Sequence, residues 1–235
     1  FDTVVPVLVL VAAALLAAAF GLVALDRLRP PPLAQAATVS PVVLARDGEM
    51  LRAFTTAAGN WRLAAGPADV DPLFLAMLLA YEDRRFRSHP GVDPLAVARA
   101  AGQWLAAGRV VSGASTLTMQ AARLLEPRPR TLWAKLVEAG RAFQIERRLD
   151  KDAILGLYLT LAPYGGNIEG VRAAARIYLG KEPTALRPAE AALLVALPQS
   201  PSRLRPDRHP EAARAARDKV LARMVEAGVI DAATA

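Results

Sequence analysis

No cysteine occurs in the 235 residues, which excludes a disulfide framework, a thiolate metal site and a cysteine nucleophile. The two histidines, His89 and His209, are too few for a histidine-rich zinc site. Aromatic residues make up only 6% of the chain, and no nucleic-acid-binding module can be traced. Acid is in short supply: 22 Asp and Glu face 29 Lys and Arg, for a net charge of +7. Such a surplus seeks polyanions, and without a nucleic-acid module the candidates are anionic lipid headgroups and phosphorylated substrates. What the chain has in quantity is Ala and Leu, within a hydrophobic share of 54%, and both residues favour helices.

Residues 4–25 carry no charge. At 1.5 Å per residue the run is long enough for a bilayer core of roughly 30 Å. A cleaved signal peptide is the alternative, with Ala34-Gln35-Ala36 as the cleavage site. Pro30-Pro31-Pro32 ends the run and opens a linker. Asp47-Gly48, between apolar stretches, predicts a small hairpin. From Asp71-Pro72, an N-cap and first-turn pair, the pattern is helical. Helices are predicted at 72–88, 93–107, 115–125, 131–149, 151–161, 167–178, 188–197 and 209–227. The expected division is an anchor at 1–28, a linker and small β region at 29–65, and a mainly α domain at 66–235.

Four stretches carry chemistry-bearing residues, and a fifth reads as core. On a helical wheel Glu82 falls among Leu75, Leu78, Leu79 and Phe86, where desolvation would make its carboxylate a usable general base. The competing reading is a surface Glu paired with Arg85 at i+3. His89 and Asp93 read as loop-capping residues around His89-Pro90-Gly91, with His89 tying the loop to the helix. Residues 113–120, GASTLTMQ, place Ser115 and Thr116 at a loop-to-helix junction, as a helix cap or as an anion cradle. In residues 131–149, Lys135, Glu138 and Arg141 share a helix face at i,i+3 spacing, as a salt-bridge ladder or as a site. Gly165, Gly166 and Gly170 suit close backbone approach or a tight loop before a helix. Residues 186–201 read as core, with Glu190 at a helix start. No S-x-x-K pattern marks Ser115 as a transpeptidase nucleophile.

In chain order these stretches resemble the five signature motifs of the family 51 peptidoglycan glycosyltransferases, the polymerase domains of class A penicillin-binding proteins. E-D-x-x-F-x-x-H-x-G-x-D at residues 82–93 looks like the first motif. The match implies Glu82 as catalytic base and Asp83 as its polar support. GASTLTMQ resembles the second and implies substrate contacts from Ser115, Thr116, Gln120 and Arg123. The family usually has Lys at position 123, and often Gly where this chain has Ala114. The third, R-K-x-x-E, appears with Ala134 for the Arg. It implies Lys135 and Glu138 at the active site, with Arg141 as a candidate stand-in for the lost Arg. The Y-x-G…Tyr-x-Gly-Lys stretch resembles the fourth motif and nominates Gly166, with Thr160 where Asn is common. Residues 186–201 resemble the fifth.

The resemblance implies a mainly α, lysozyme-like fold with a small membrane-proximal jaw, placed around residues 95–133 with Trp104 and Trp133. It implies polymerisation of lipid II into β-1,4-linked strands by inverting displacement of undecaprenyl diphosphate. No cofactor is required, and Glu138 is the candidate ligand for an optional Mg or Mn ion. The expected partners are lipid II, the growing strand, the bilayer and other cell-wall synthesis proteins, with no nucleic acid. The expected place is the bacterial inner membrane, single-pass, with the domain on the periplasmic side. A transpeptidase domain would follow residue 235 in the parent. The alternatives are a lytic peptidoglycan-cleaving enzyme and a non-catalytic anchored scaffold.

Overall fold

The structure, a computed structural model, describes residues 26–108, 113–129 and 131–234, with scattered positions before residue 26. The expected anchor therefore lies largely outside the described residues. Among those described, no helix is long and apolar enough to cross a membrane.

The body is built from helices: α1 (Pro72–Glu82), α2 (Pro94–Ala107), α3 (Leu117–Leu125), α4 (Leu132–Glu146), α5 (Lys151–Leu161), α6 (Val171–Leu179), α7 (Pro188–Ala196) and α8 (Pro210–Glu226). Several of them start after a side chain that accepts from an orphan N–H group. Asp71 accepts from Leu73 N at 2.8 Å, Thr116 from Met119 N at 3.1 Å, Thr131 from Ala134 N at 3.0 Å and Asp150 from Ala153 N at 2.8 Å. α6 ends on Gly180 at φ +69°, a left-handed stop that favours glycine.

α1 is shorter than predicted. It stops at Glu82, and a 3-10 turn at Phe86–Ser88 follows. The cause is Asp83, whose backbone leaves the helix at φ −159° while its side chain turns inward to His89 and to α3.

α1 packs on α7 and α8, which pack on each other; α3 packs on α4 and α5, and α6 bridges α5 to α7. Phe74, Met77, Leu117, Leu155, Leu194 and Val220 fill one continuous core between these groups. Each such side chain contributes about 1.5–3 kcal/mol by burial. Among the described residues α2 makes no extensive contact with another element. Its Leu95 and Leu105 are 64% and 75% exposed.

Strand β1 (Val42–Leu44) pairs antiparallel with β2 (Met50–Ala53) around the expected Asp47-Gly48 turn, Gly48 taking φ +86°. A second sheet was not expected from the sequence. β3 (Trp61–Arg62) runs parallel to β5 (Ile168–Glu169), and β4 (Pro163–Gly165) pairs antiparallel with β5 on its other side. Asn60 and Arg62 both donate to the Glu169 carboxylate, at 2.8 and 2.6 Å. The three glycines of this region serve that hairpin and its exit. At Gly170, with φ +84°, an added Cβ would stand 2.6 Å from the Thr160 carbonyl oxygen, so no larger residue fits.

Candidate active site

Glu82 ends α1 at the mouth of a cleft of about 520 Å³. The carboxylate is half-buried and held from two sides. Gln120 of α3 donates to Oε2 at 2.9 Å, and Gln199, in the turn after α7, donates to Oε1 at 3.0 Å. Arg84, Arg85, Arg99 and Arg223 line the cleft, as do Ser115 and Thr116.

Below Glu82, the next residue has a different task. Asp83 is buried and accepts from Leu117 N at 2.9 Å, which caps α3. His89 Nε2 lies 3.0 Å from both of its oxygens. His89 Nδ1 accepts from Gly91 N at 3.2 Å, so the proton sits on Nε2 and points at Asp83. His89 thus ties the 89–91 loop to the end of α1, as expected. Thr116 caps α3 and donates its hydroxyl proton to the Gly91 carbonyl. A Cβ on Gly91, at φ +95°, would stand 2.9 Å from the Ala142 backbone, so the loop lies directly on α4.

Asp93 begins α2 by accepting from Ala96 N at 3.0 Å and is gripped by Arg85 through both its Nε and its terminal nitrogen. Burial pushes the Asp93 carboxyl up, but the Ala96 N–H and the Arg85 guanidinium outweigh it and hold the group below the usual carboxylate range. A carboxyl depressed in the fold stabilises it above the unfolded value, and that contribution is lost as pH falls through the folded value. Asp93→Asn keeps the cap but loses the charge. It is expected to cost about 1 kcal/mol at neutral pH, with the gap to the unchanged chain closing below about pH 4, in thermal melts at stepped pH.

A second cavity, of about 500 Å³, is lined by Arg123, Thr131, Leu132, Ala134, Lys135 and Glu138. Lys135 Nζ donates to buried Glu138 at 2.9 Å and to Ser115, which lines the first cleft. That single contact joins the two cavities. α3 joins them again: Gln120 and Arg123 stand at i,i+3, on one face, some 5–6 Å apart. The structure therefore brings Glu82, Asp83, Ser115 and Thr116 to one cleft, with Gln120 bonded to Glu82, and Arg123, Lys135 and Glu138 to its neighbour.

Two nominated residues lie elsewhere. Arg141 donates to both Glu126 oxygens, to Gln144 and to the Arg29 carbonyl, and lines neither cavity. Gly166 adopts φ +60° with its open side 2.6 Å from Arg205 Nη1, a packing position. Glu138 accepts from Lys135 through one carboxylate oxygen, and among the described residues no three metal-ligating side chains converge. That donor set does not fit a metal held by protein groups alone.

Gln199 and Tyr158 were not singled out in the sequence. Gln199 lies in the stretch read as core. The Tyr158 hydroxyl is raised far above its ordinary pKa by burial first, then by the charges of Glu82 and Tyr164, with Arg123 opposing. It stays protonated.

A family model described as Transglycosylase matches residues 47–225. The chain belongs to the transglycosylase family. Penicillin-binding protein 1C of Escherichia coli (strain K12) is 54% identical over 206 residues, covering 87% of this chain and 26% of that protein. Penicillin-binding protein 1A of Aquifex aeolicus is 48% identical over 153 residues, 65% of this chain and 21% of that protein. Among solved structures, penicillin-binding protein 1A from Haemophilus influenzae aligns at TM-score 0.44 and 19% identity, covering 84% of this chain and 20% of the other. This transglycosylase chain spans about a quarter of the length of the curated relatives it matches.

Proposed function

We propose that the chain is a peptidoglycan glycosyltransferase that polymerises lipid II into β-1,4-linked glycan, with Glu82 as the base. The observation that carries this is the pairing of two cavities. A carboxylate fixed by Gln120 and Gln199 sits on the first, and a cationic cavity with Lys135 and Arg123 opens beside it. In the reaction Glu82 takes the proton of the acceptor 4-hydroxyl and the oxygen attacks the anomeric carbon of the donor. The bond to the lipid diphosphate breaks on the opposite face, with inversion. The electron pair leaves with the diphosphate, whose charge Lys135 and Arg123 stabilise. Glu138 orients Lys135. The reaction needs no cofactor, because these side chains supply the cations.

A lytic enzyme acting on an ordinary glycosidic bond also needs an acid at the leaving oxygen. The second cavity offers cations instead, which suits a diphosphate.

The same proposal places the chain on the periplasmic side of the inner membrane, anchored by its N-terminal apolar run. Its support is the apolar surface that α2 and the start of α4 leave open: Leu132 is 88% exposed and Trp133 72%. In this reading these elements make up the jaw; the Trp104 side chain and residues 109–112 lie outside the described set. Purified chain given lipid II is expected to yield a ladder of lengthening glycans. Release of fragments from intact sacculi with no polymer formed would reverse the assignment.

A further inference from the structure

Residues 26–29 follow the apolar run directly, and the structure fastens them to α4 and the turn that follows it. Arg148 pairs with the Asp26 carboxylate and donates to the Asp26 carbonyl at 3.0 Å. Arg141 and buried Gln144 both donate to the Arg29 carbonyl, Gln144 at 3.3 Å. The point where the chain leaves the apolar run is thereby held against the C-terminal part of α4 and the turn after it.

Beside this clamp lies a cavity of about 490 Å³ whose lining has two chemistries. Trp133, Leu136, Val137 and Gly140 make one part, and Arg29, Arg128 and Arg141 the other. Arg128 and Arg141 share one carboxylate, Glu126, which is not in the lining. Among the described residues the Arg29 side chain has no partner. Three cations against one anion leave two positive charges uncompensated. None of these residues lines the cavity of Lys135 and Glu138, so the site is separate from the one assigned to the donor diphosphate.

A polar solute would waste the apolar wall, and a hydrocarbon would leave the excess positive charge without a counter-ion. An amphiphile with an anionic head satisfies both. Exposed Trp is the side chain that settles at headgroup depth, and basic side chains near an anionic leaflet are drawn to it. We propose that this cavity holds the phosphate headgroup of an anionic phospholipid of the bilayer, with an acyl chain along Trp133 and Leu136. The site rests on the membrane-bound reading above.

Gly140 provides the test. A Cβ there meets nothing within 4 Å, and replacing a mid-helix glycine favours the helix. Gly140→Glu brings a carboxylate into the cavity, and Gly140→Gln brings the same bulk without charge. The full chain, stripped of lipid in detergent, is titrated with short-chain phosphatidylglycerol or with phosphatidylcholine of equal chain length, and native mass spectrometry counts bound lipid. The unchanged chain and Gly140→Gln are expected to prefer phosphatidylglycerol on the order of tenfold, and Gly140→Glu to lose that preference. Equal binding of the two lipids, or a preference kept by Gly140→Glu, overturns the site. So does displacement of phosphatidylglycerol by equimolar lipid II, which would assign the cavity to substrate. Polymerisation is measured on the same samples. A chain that prefers phosphatidylglycerol but makes no polymer removes the catalytic reading and leaves this one standing; polymer without lipid preference does the reverse.

Discussion

Glu82→Gln is expected to slow glycan polymerisation by about 10²- to 10⁴-fold, the range that a positioned general base supplies. The substitution is nearly isosteric, and the surroundings can absorb it. Gln120 and Gln199 each present an amide to Glu82, and each can turn to offer its oxygen instead of its nitrogen. The fold and lipid II binding should therefore survive while the proton acceptor is lost. The measurement pairs the initial rate on labelled lipid II with a melting curve and a binding titration. A rate within about threefold of the unchanged chain would take Glu82 out of the mechanism.

Asp83→Ala should do the opposite kind of damage, although it is the adjacent residue. Its buried carboxylate accepts from His89 and from Leu117 N. Removing it leaves two buried donors without a partner and uncaps α3, at a cost of about 3 kcal/mol or more. For a chain of this size that corresponds to a melting temperature lower by roughly 6–12 °C. Activity falls as well, because α3 carries Gln120 and Arg123 and its first turn anchors the Gly91 loop. Asp83→Asn retains one acceptor and should lose less of both. The pair of variants at 82 and 83 separates chemistry from scaffolding: one loses rate with its melting curve kept, the other loses both. A normal melting temperature in Asp83→Ala would show that the cap carries no weight.

The helices were legible because their caps are local. Asp71, Thr116, Thr131 and Asp150 each act within three residues of their own position, so the letters announce the starts. The end of α1 was not, because Asp83 finds its partners at His89 and Leu117, beyond any local window. The same holds for the site. The i,i+3 spacing of Lys135 and Glu138 gave their contact directly. The grip of Gln199 on Glu82 spans 117 residues, and nothing in a stretch that reads as core revealed it, except that it is a lone amide among apolar residues. Arg141 shares the spacing of the site residues yet turns to Glu126, because a bidentate carboxylate was closer to hand than the cavity. The sheet of β3, β4 and β5 escaped for want of length. Two- and three-residue strands carry no alternation to read.

That small sheet bears on how the molecule assembles. Trp61 N donates to Asn167 O at 2.8 Å, Asn167 donates to the Gly59 carbonyl at 2.8 Å, and Glu169 collects Asn60 and Arg62. These bonds close a loop of more than a hundred residues, so the closure entropy falls on a handful of contacts that cannot repay it alone. The helices from α1 to α5 have to condense first and bring the two ends within reach. The sheet is thus a late clasp, and its high sequence separation raises contact order and slows the final step of folding, even though nearly all the surrounding structure is helical.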